Sequence, residues 1–388
     1  MCKPIRVLHV IGKMDRAGAE TMIMSLYRRI DRNKIQFDFM VHSKEKGDFD
    51  DEIRALGGKI FYIDKFKGFN LIPYYFAWRK FLKKHSEYRV IHGHIGSSAF
   101  IYISVAKSLG RKTIIHSHNA FSDRFNLHDH LISWLNYPNK HIATELLAAS
   151  KQAGIDRFGK SVILQNNFRV LNNAIDTNKF LYSKLKRQQI RTKLGISPDT
   201  LIIGNIGRLV EAKNQSRLIE IFNTILVKIP DAHLLILGEG PLREKLEQLI
   251  VDKGLKSNVH LVGVKDNVAD YLSAMDIFVF PSLHEGLGIS LIEAQSTGIP
   301  CVVSDAVPIE AKVSPLLTFI SLKSSDNEWM KIILRERENY SIQNRTSQVE
   351  KIKQANYDIS QTLPQLSSLY LNLAEESNGI SNDNNTNL

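Results

Sequence analysis

Short apolar runs alternate with amphipathic stretches along most of the chain. In the N-terminal part, apolar runs predict strands at residues 5–11, 37–41, 60–63, 90–92 and 113–117, with a further short candidate at 146–150. A helical pattern over residues 19–30 follows the first run. Strands separated by helical patterns at this spacing are typical of βαβ units and a parallel sheet.

The C-terminal part shows the same alternation with a different sequence. Its apolar runs predict strands at residues 201–207, 233–238, 259–262, 276–280 and 300–304. Helical patterns cover residues 214–228 and 241–253, and another follows residue 288. We therefore predict an α/β protein with two Rossmann-like, doubly wound parallel-sheet domains that face each other across a cleft. Ligands of such sheets bind at the carboxyl ends of the strands.

A polar, basic stretch at residues 176–197 separates the two series. It predicts an N-terminal domain of residues 1–177 and a C-terminal domain of residues 178–374. A final helix, at about residues 360–375, is expected to return to the N-terminal domain if the fold is the one named below. Residues 375–388 are rich in Asn, Ser and Asp and contain almost nothing apolar, so we expect a disordered tail.

The composition is that of a globular protein, with 43% hydrophobic and 23% charged residues. The apolar runs are far shorter than a membrane span, and the first residues lack the features of a signal peptide. The two cysteines, Cys2 and Cys301, match neither a disulfide framework nor a metal-ligand spacing. These observations predict a cytoplasmic protein.

The net charge of +11 is unevenly distributed. Up to Phe180 the chain has 29 Lys and Arg against 16 Asp and Glu, whereas the remainder has 22 against 24. A positive field confined to one half indicates an anionic partner, such as a nucleic acid, an anionic membrane or a phosphorylated substrate. Composition does not choose among these three.

The segment after the predicted strand at 276–280 carries the most informative pattern. Glu285 and Glu293 are separated by seven residues that include Gly286 and Gly288, and an amphipathic helix begins there. A helix N-terminus presents free N–H groups to an anion, and glycine allows close approach to the backbone. The two carboxylates can accept hydrogen bonds from the hydroxyls of a sugar and a ribose. The pattern suits a nucleotide-sugar and indicates glycosyl transfer.

A second pattern, from Gly207 to Lys213, stands at the end of the strand predicted at 201–207. It places Arg208 and Lys213 on a turn at the carboxyl edge of the sheet. A guanidinium and an ammonium group suit a diphosphate, whose negative charge grows as the glycosidic bond breaks. The two patterns together favour a functional site over a solvated surface.

These motifs resemble those of the retaining glycosyltransferases of family 4, which have the two-domain GT-B fold. The resemblance rests on Gly-Arg-x4-Lys at 207–213, on Glu-x7-Glu at 285–293 and on residues 294–300. The loop at 12–20 and the His-Ser-His-Asn segment at 116–119 also fit, so the resemblance covers nearly the whole chain. It is strongest to bacterial members that build capsular polysaccharide, exopolysaccharide or O-antigen.

The resemblance implies a role for each matching residue of the C-terminal domain. Glu285 would contact hydroxyls of the donor sugar, and Glu293 would bond to the nucleotide ribose. Arg208 and Lys213 would bind the diphosphate. In addition, the N–H groups of Gly288 and Ile289 would help to hold the diphosphate.

In the N-terminal domain, the resemblance implies roles for two further residues. Gly18 matches the glycine of a loop that closes over the donor phosphates, and His118 matches a histidine near the reacting centre.

Four histidines need a separate interpretation. His92, His94, His116 and His118 form two pairs with i, i+2 spacing at predicted strand ends, and residues two apart on a strand share a face. This spacing allows a metal cluster, but no acidic or cysteine partner is near in the sequence. A role in the substrate cleft is favoured, while structural hydrogen bonding and metal binding stay open. Because cationic side chains can serve the diphosphate, we expect neither a metal nor another cofactor.

Residues 66–89 interleave aromatic residues with Arg79, Lys80, Lys83 and Lys84. One interpretation is a helix that simply covers the first sheet. The other is an interfacial helix whose aromatic residues enter the headgroup layer of an anionic membrane beside the lysines.

We expect a retaining glycosyltransferase that moves a sugar from a nucleoside diphosphate donor, with UDP preferred, to a polyprenyl-diphosphate-linked saccharide. It would work at the inner face of the plasma membrane in surface polysaccharide synthesis. Two alternatives with the same fold are a nucleotide-sugar epimerase and a catalytically silent partner subunit of a transferase. A nucleic-acid-binding protein is disfavoured, because the basic residues form no recognised binding motif.

Overall fold

The structure, a computed structural model, describes residues 3–16, 18–118, 139–340 and 344–383, with side chains up to residue 377. Its internal contacts divide the chain into two compact units. The first unit consists of Met1–Ala174 together with Ile359–Leu388, and the second consists of Ile175–Asp358. The second unit is therefore inserted into the sequence of the first.

The first unit is built on a seven-stranded parallel sheet with the order β3-β2-β1-β4-β5-β6-β7. The strands are β1 (Ile5–Ile11), β2 (Ile35–Val41), β3 (Ile60–Tyr62), β4 (Tyr88–Gly93), β5 (Lys112–Ser117), β6 (Glu145–Ala148) and β7 (Phe168–Val170). The strand order reverses between β1 and β4, and doubly wound sheets bind ligands beside such a reversal.

Helices cover both faces of this sheet. They are α1 (Gly18–Arg29), α2 (Asp50–Ala55), α3 (Leu71–Lys84), α4 (Ala99–Ser108), α5 (Asn139–Ile142) and α6 (Lys151–Phe158). Successive strand residues point to opposite faces, so Val7 and Val90 belong to one apolar cluster whereas Leu8 and Ile91 belong to another. Two buried faces explain why the strands read as continuous apolar runs.

The second unit has a six-stranded parallel sheet with the order β10-β9-β8-β11-β12-β13. Its strands are β8 (Ile202–Ile206), β9 (His233–Leu237), β10 (Val259–Gly263), β11 (Ile277–Phe280), β12 (Cys301–Ser304) and β13 (Leu317–Ile320). Its helices are α7 (Lys184–Lys193), α8 (Gln215–Leu226), α9 (Arg243–Asp252), α10 (Val268–Ala274), α11 (Ile289–Ser296), α12 (Asp326–Glu338) and α13 (Val349–Gln354). Here the reversal lies between β8 and β11, the strands that precede the two predicted motifs.

The prediction of an α/β protein with two doubly wound parallel sheets is confirmed. The strands β7 and β13 were not predicted. Each has only three or four residues and lies at the edge of its sheet, and Arg169 occupies the middle of β7. Short strands with one polar position give no apolar run that a sequence pattern can detect.

The last helix, α14 (Ile359–Asp383), packs in the first unit, where Leu366, Tyr370 and Leu373 are buried in its core. It extends beyond the predicted end, so residues 375–383 are helical and the expected disorder does not hold for them. Two contacts explain the extension. The Glu376 carboxylate pairs with Lys112 at 2.7 Å, and the hydroxyl of Ser377 donates to the Gly110 carbonyl at 3.3 Å. Residues 384–388 lie outside the described residues.

Among the helices that the structure describes, none is both long enough and apolar enough to cross a membrane.

Candidate active site

The loop after β8 is held by its backbone and leaves the Arg208 side chain exposed. The side-chain amide of Gln215 donates to the Arg208 carbonyl at 3.1 Å, and the N–H of Leu209 donates to the Glu239 carbonyl at 3.0 Å. The Arg208 guanidinium itself has no hydrogen-bond or ion-pair partner among the described residues. A fixed backbone with a free guanidinium suits an anionic ligand.

A glycine on the neighbouring strand end makes this loop geometry possible. Gly238 follows β9 with φ of +136°, and a Cβ there would lie 2.0 Å from the carbonyl oxygen of Gly207. Only glycine allows two backbones to approach this closely. Gly238 was not singled out from the sequence, although its place just after an apolar run is a recognisable signal.

Lys213 and Glu285 come together although 72 residues separate them in the chain. They form a charged hydrogen bond, and both side chains are largely buried. The Lys213 ammonium also lies 5.0 Å from the centre of the Phe280 ring, within the range of a cation–π contact. The groups predicted to serve the diphosphate and the donor sugar are therefore direct neighbours.

The two loops that carry this pair are joined by hydrogen bonds. The N–H of Leu283 donates to the Ala212 carbonyl at 2.8 Å, and the side-chain amide of Asn214 donates to the Pro281 carbonyl at 3.0 Å. Asn214 adopts a left-handed conformation with φ of 56°, which asparagine tolerates better than most residues. The pair thus stands on two loops that support each other.

Helix α11 begins beside the same strand end. Its N-cap, Gly288, has φ of +80°, a conformation that favours glycine. The hydroxyl of Ser290 donates to the Ile206 carbonyl at 2.9 Å, which joins the helix start to the end of β8. The first N–H groups of a helix, here from Gly288 and Ile289 onward, lack acceptors within the helix and attract anions.

Glu293 lies one turn inside α11 and is partly buried. Burial raises the pKa of its carboxyl to about 8. No hydrogen bond or ion pair joins the Glu293 carboxyl to another described residue. A buried carboxyl without a partner is costly to keep, so this side chain is available to a ligand hydroxyl.

His118 and Gly18 belong to the first unit. The Nε2 of His118 lies 2.8 Å from Nδ1 of His94, and its Nδ1 lies 3.3 Å from Oδ1 of Asn173. Burial lowers the pKa of His118 to about 4, against the opposing effect of Asn173, so the ring is neutral at pH 7. Both ring nitrogens are engaged. Gly18 is exposed and is the first residue of α1.

A cavity of about 410 Å³ in the first unit was not predicted from the sequence. Its lining includes Ser43, Lys65, Ser97 and Ser98, and also His42, whose ring lies 3.1 Å from the hydroxyl of Tyr74 on α3. Burial, with a contribution from Lys65, lowers the pKa of His42 to about 4, so Lys65 is the cationic group at this wall. A lysine among serine hydroxyls can receive an anionic, hydroxyl-rich group.

The segment at 66–89 covers the first sheet and leaves part of its surface exposed. Tyr74 and Trp78 of α3 are buried against the sheet, as a covering helix requires. Phe69, just before the helix, and Ile72 and Phe76 on it are 84%, 69% and 60% exposed, respectively. Lysines 80, 83 and 84 are also exposed. The helix covers the sheet and still presents an apolar and basic surface.

Solved structures with the same architecture define the class of protein. HepE of Anabaena, in complex with UDP-glucose, superposes with a TM-score of 0.77 over 95% of this chain and 99% of its own, at 18% identity. The lipopolysaccharide glycosyltransferase WaaG gives a TM-score of 0.67 over 94% of this chain and 98% of its own, also at 18% identity. The chain therefore has the GT-B fold.

The sequence comparisons identify the family. The model for Glycosyltransferase Family 4 matches residues 16–179, and the model for Glycosyl transferases group 1 matches residues 186–315. EpsF of Bacillus subtilis, named as a glycosyltransferase, is 31% identical over 371 residues, which cover 94% of this chain and 96% of EpsF. The chain belongs to the family of glycosyltransferases that these two models describe and that includes EpsF.

Two further relatives have more specific names. A galactosyltransferase of Escherichia coli, named for transfer from UDP-Gal to α-D-GlcNAc-diphosphoundecaprenol, is 28% identical over 285 residues, or 70% of this chain and 72% of its own. The capsular polysaccharide biosynthesis glycosyltransferase CapH of Staphylococcus aureus is 26% identical over 299 residues, or 75% and 78%.

Proposed function

We propose that this glycosyltransferase is a retaining enzyme that moves a sugar from a UDP-linked donor to a polyprenyl-diphosphate-linked saccharide in the synthesis of a surface polysaccharide. The main observation in support of donor binding is the contact between Lys213 and Glu285 beside the free N-terminus of α11. UDP as the nucleotide and a lipid-linked acceptor are supported by the names of HepE and the E. coli galactosyltransferase.

The second unit would hold the donor as follows. Arg208, Lys213 and the N–H groups of Gly288 and Ile289 bind the diphosphate, and the unpartnered carboxyl of Glu293 bonds to the ribose. Glu285 exchanges its contact with Lys213 for hydroxyls of the donor sugar, which frees the ammonium for a phosphate oxygen. Two cationic side chains and a helix N-terminus then balance the growing charge, so we propose that transfer requires no metal at the diphosphate.

The transfer step would take place on one face of the sugar. The bond between the anomeric carbon and the leaving phosphate oxygen breaks, and the acceptor oxygen forms its bond on the same face. The acceptor proton passes to the leaving phosphate, so that no side chain of the enzyme becomes a covalent nucleophile. Retention of configuration follows from attack on the face that the diphosphate leaves.

His118 would position the reacting sugar rather than carry a proton. Its pKa of about 4 makes the ring a poor base at pH 7, and both of its nitrogens already have partners in the first unit. A sugar hydroxyl would replace Asn173, the more distant partner.

The acceptor would meet the first unit. We propose that the cavity lined by Lys65, Ser97 and Ser98 receives the saccharide or diphosphate part of the acceptor. The exposed face of α3 would rest on the inner face of the plasma membrane, with Phe69, Ile72 and Phe76 in the headgroup layer and the lysines near anionic lipids. The enzyme would then be a peripheral membrane protein.

The donor proposal predicts a specific loss in Glu285→Ala. Calorimetry with UDP-, GDP-, ADP- and dTDP-sugars, without added metal, identifies the nucleotide, and a transfer assay with a polyprenyl-diphosphate-linked saccharide follows turnover. We expect Glu285→Ala to reduce turnover at least about 100-fold, as for removal of one transition-state contact, while the chain stays folded. Glu247→Ala, on the exposed surface of α9, is the matched control and should keep full activity.

Near-normal turnover of Glu285→Ala would refute the role of this residue. Conversion of the donor in the absence of acceptor would instead indicate an epimerase. Donor binding without turnover on any lipid-linked acceptor would indicate a silent partner subunit, and failure to bind any nucleotide-sugar would overturn the donor site.

The membrane proposal predicts a charge- and surface-dependent association. The double variant Phe69→Asp and Ile72→Asp should lose most of its flotation with vesicles that contain anionic lipid. The double variant Lys80→Glu and Lys83→Glu should float less at low salt, and added salt should not reduce its flotation further. Val227→Asp is the control, because Val227 is 83% exposed in the second unit. If both double variants float as well as the unmodified protein, α3 is not the membrane-binding surface.

A further inference from the structure

Five histidines of the first unit form one contiguous cluster at the carboxyl ends of neighbouring strands. They are His9 on β1, His92 and His94 at β4, and His116 and His118 at β5. His9 is adjacent to His92 in the register of the two strands, and its ring stacks on that of His94 with centres 5.2 Å apart. The sequence pattern misses His9, because it has no histidine two residues away.

Three of these rings converge. One ring nitrogen from each of His9, His92 and His94 lies within 4.8 Å of the other two. The Nδ1 of His9 is 2.9 Å from the Nε2 of His94. His9 and His92 are each 1% exposed, whereas His94 is only partly buried and connects the group to the solvent-accessible side.

Two polar atoms in this group are buried without a partner. The Nε2 atoms of His9 and His92 make no hydrogen bond, although the Nδ1 of His92 lies 2.6 Å from the hydroxyl of Tyr370. Leaving such an atom unpaired costs about 1–3 kcal/mol, so native structures rarely keep two of them together. An ion bound by this group would give the unpaired Nε2 of His92 a partner.

We propose that His9, His92 and His94 bind a divalent transition-metal ion of the class that prefers imidazole ligands, with Zn²⁺ and Co²⁺ as representatives. Three imidazoles and an open fourth position form an established ligand set for these ions. The two nitrogens now 2.9 Å apart need to separate only to about 3.3 Å, the spacing of two ligands at about 2.0–2.1 Å in a tetrahedral site.

The surroundings of the site agree with metal binding. Tyr370 can accept the other N–H of His92 and so fix the orientation of that ring, as outer partners of metal ligands do. The groups proposed to bind the diphosphate belong to the second unit, so this inference does not depend on the donor proposal.

A titration of the full-length, tag-free, metal-stripped protein tests the proposal. Co²⁺ added in steps should produce intense visible d–d absorption that saturates at one equivalent, and Zn²⁺ should displace it. Zn²⁺ should also raise the unfolding midpoint, because the ion binds only the folded chain. Absence of saturable binding at one equivalent would overturn the proposal.

Substitutions then locate the ion. His9→Ala, His92→Ala and His94→Ala should each abolish the one-equivalent Co²⁺ absorption, whereas His116→Ala should keep it. The control is the double variant His233→Ala and His260→Ala, which removes the hydrogen-bonded histidine pair of the second unit, 3.0 Å apart. One-equivalent Co²⁺ binding by His94→Ala would contradict the assignment. So would loss of binding in His116→Ala together with normal binding in His9→Ala and His92→Ala.

If the variants of the buried histidines fail to fold, X-ray absorption of the unsubstituted Zn²⁺ protein counts the imidazole ligands directly. Three imidazole ligands are expected, and one or none would overturn the site.

Discussion

At the scale of the residue, burial of Glu293 makes stability depend on pH. Its folded-state pKa of about 8 lies above that of an unfolded glutamate, so the folded chain keeps a proton that the unfolded chain releases. Stability therefore falls as the pH rises from about 4.5 through about 8. We predict that Glu293→Gln raises the free energy of unfolding by roughly 2–4 kcal/mol at pH 8 and changes it little at pH 4, by denaturant titration at both values.

The same variant should bind the donor about 10- to 100-fold less tightly, because the amide cannot ionise to the carboxylate that is proposed to accept the ribose hydroxyl. Glu247→Gln on the exposed surface of α9 is the control for both measurements. A Glu293→Gln protein that is less stable at pH 8 than the unmodified one would contradict the assignment of a burial-raised pKa.

At the scale of the element, the loops at the ends of β8 and β9 position Arg208. Gly238→Ala would place a methyl group against the Gly207 carbonyl and displace the loop that carries Arg208. We predict a loss of about 1–3 kcal/mol in stability, typical of overpacking, and a fall of at least 10-fold in donor affinity. Unfolding and calorimetry measure the two effects.

Gly254→Ala is the matched control for that substitution. Gly254 also has a positive φ, of +68°, but a Cβ there meets nothing within 4 Å. It should cost only the backbone strain, about 1 kcal/mol, and leave donor affinity unchanged. Equal losses of affinity in the two variants would show that Gly238 does not act through Arg208.

The same scale shows what sequence patterns can predict. The runs around Ile202 and Ile277 are apolar on both faces, so their strands and the motifs that follow them were predictable. The contact between Lys213 and Glu285 was not, since it depends on β8 and β11 being neighbours in the sheet. His9 escaped for a similar reason, because only the register of β1 against β4 places it beside His92.

At the scale of the whole molecule, α14 completes the core of the first unit. We predict that Tyr370→Ala lowers the free energy of unfolding by about 3–5 kcal/mol, as for other large aromatic residues in a core. Hydrogen exchange in peptides from β1 and β4 should become faster. UDP affinity should not change, because the groups proposed to bind the nucleotide lie in the second unit. Tyr370→Phe, which removes only the bond to His92, should cost about 1 kcal/mol.

Exchange mass spectrometry compares both units in one experiment. Protection lost equally in the two units of Tyr370→Ala would show that the chain unfolds as one cooperative body and would contradict this prediction.

The insertion of the second unit has an evolutionary consequence. The chain leaves the first unit after Ala174 and re-enters it at Ile359, and these two points are side by side: Ile175 pairs with Asp358 as a parallel bridge, and its N–H donates to the Tyr357 carbonyl at 2.8 Å. A segment whose two ends meet can be exchanged as a cassette between homologous genes without reshaping its host. On the proposed division of donor and acceptor between the two units, recombination at this pair of neighbouring sites would let a lineage acquire a new sugar while it keeps the acceptor on which its polysaccharide is built.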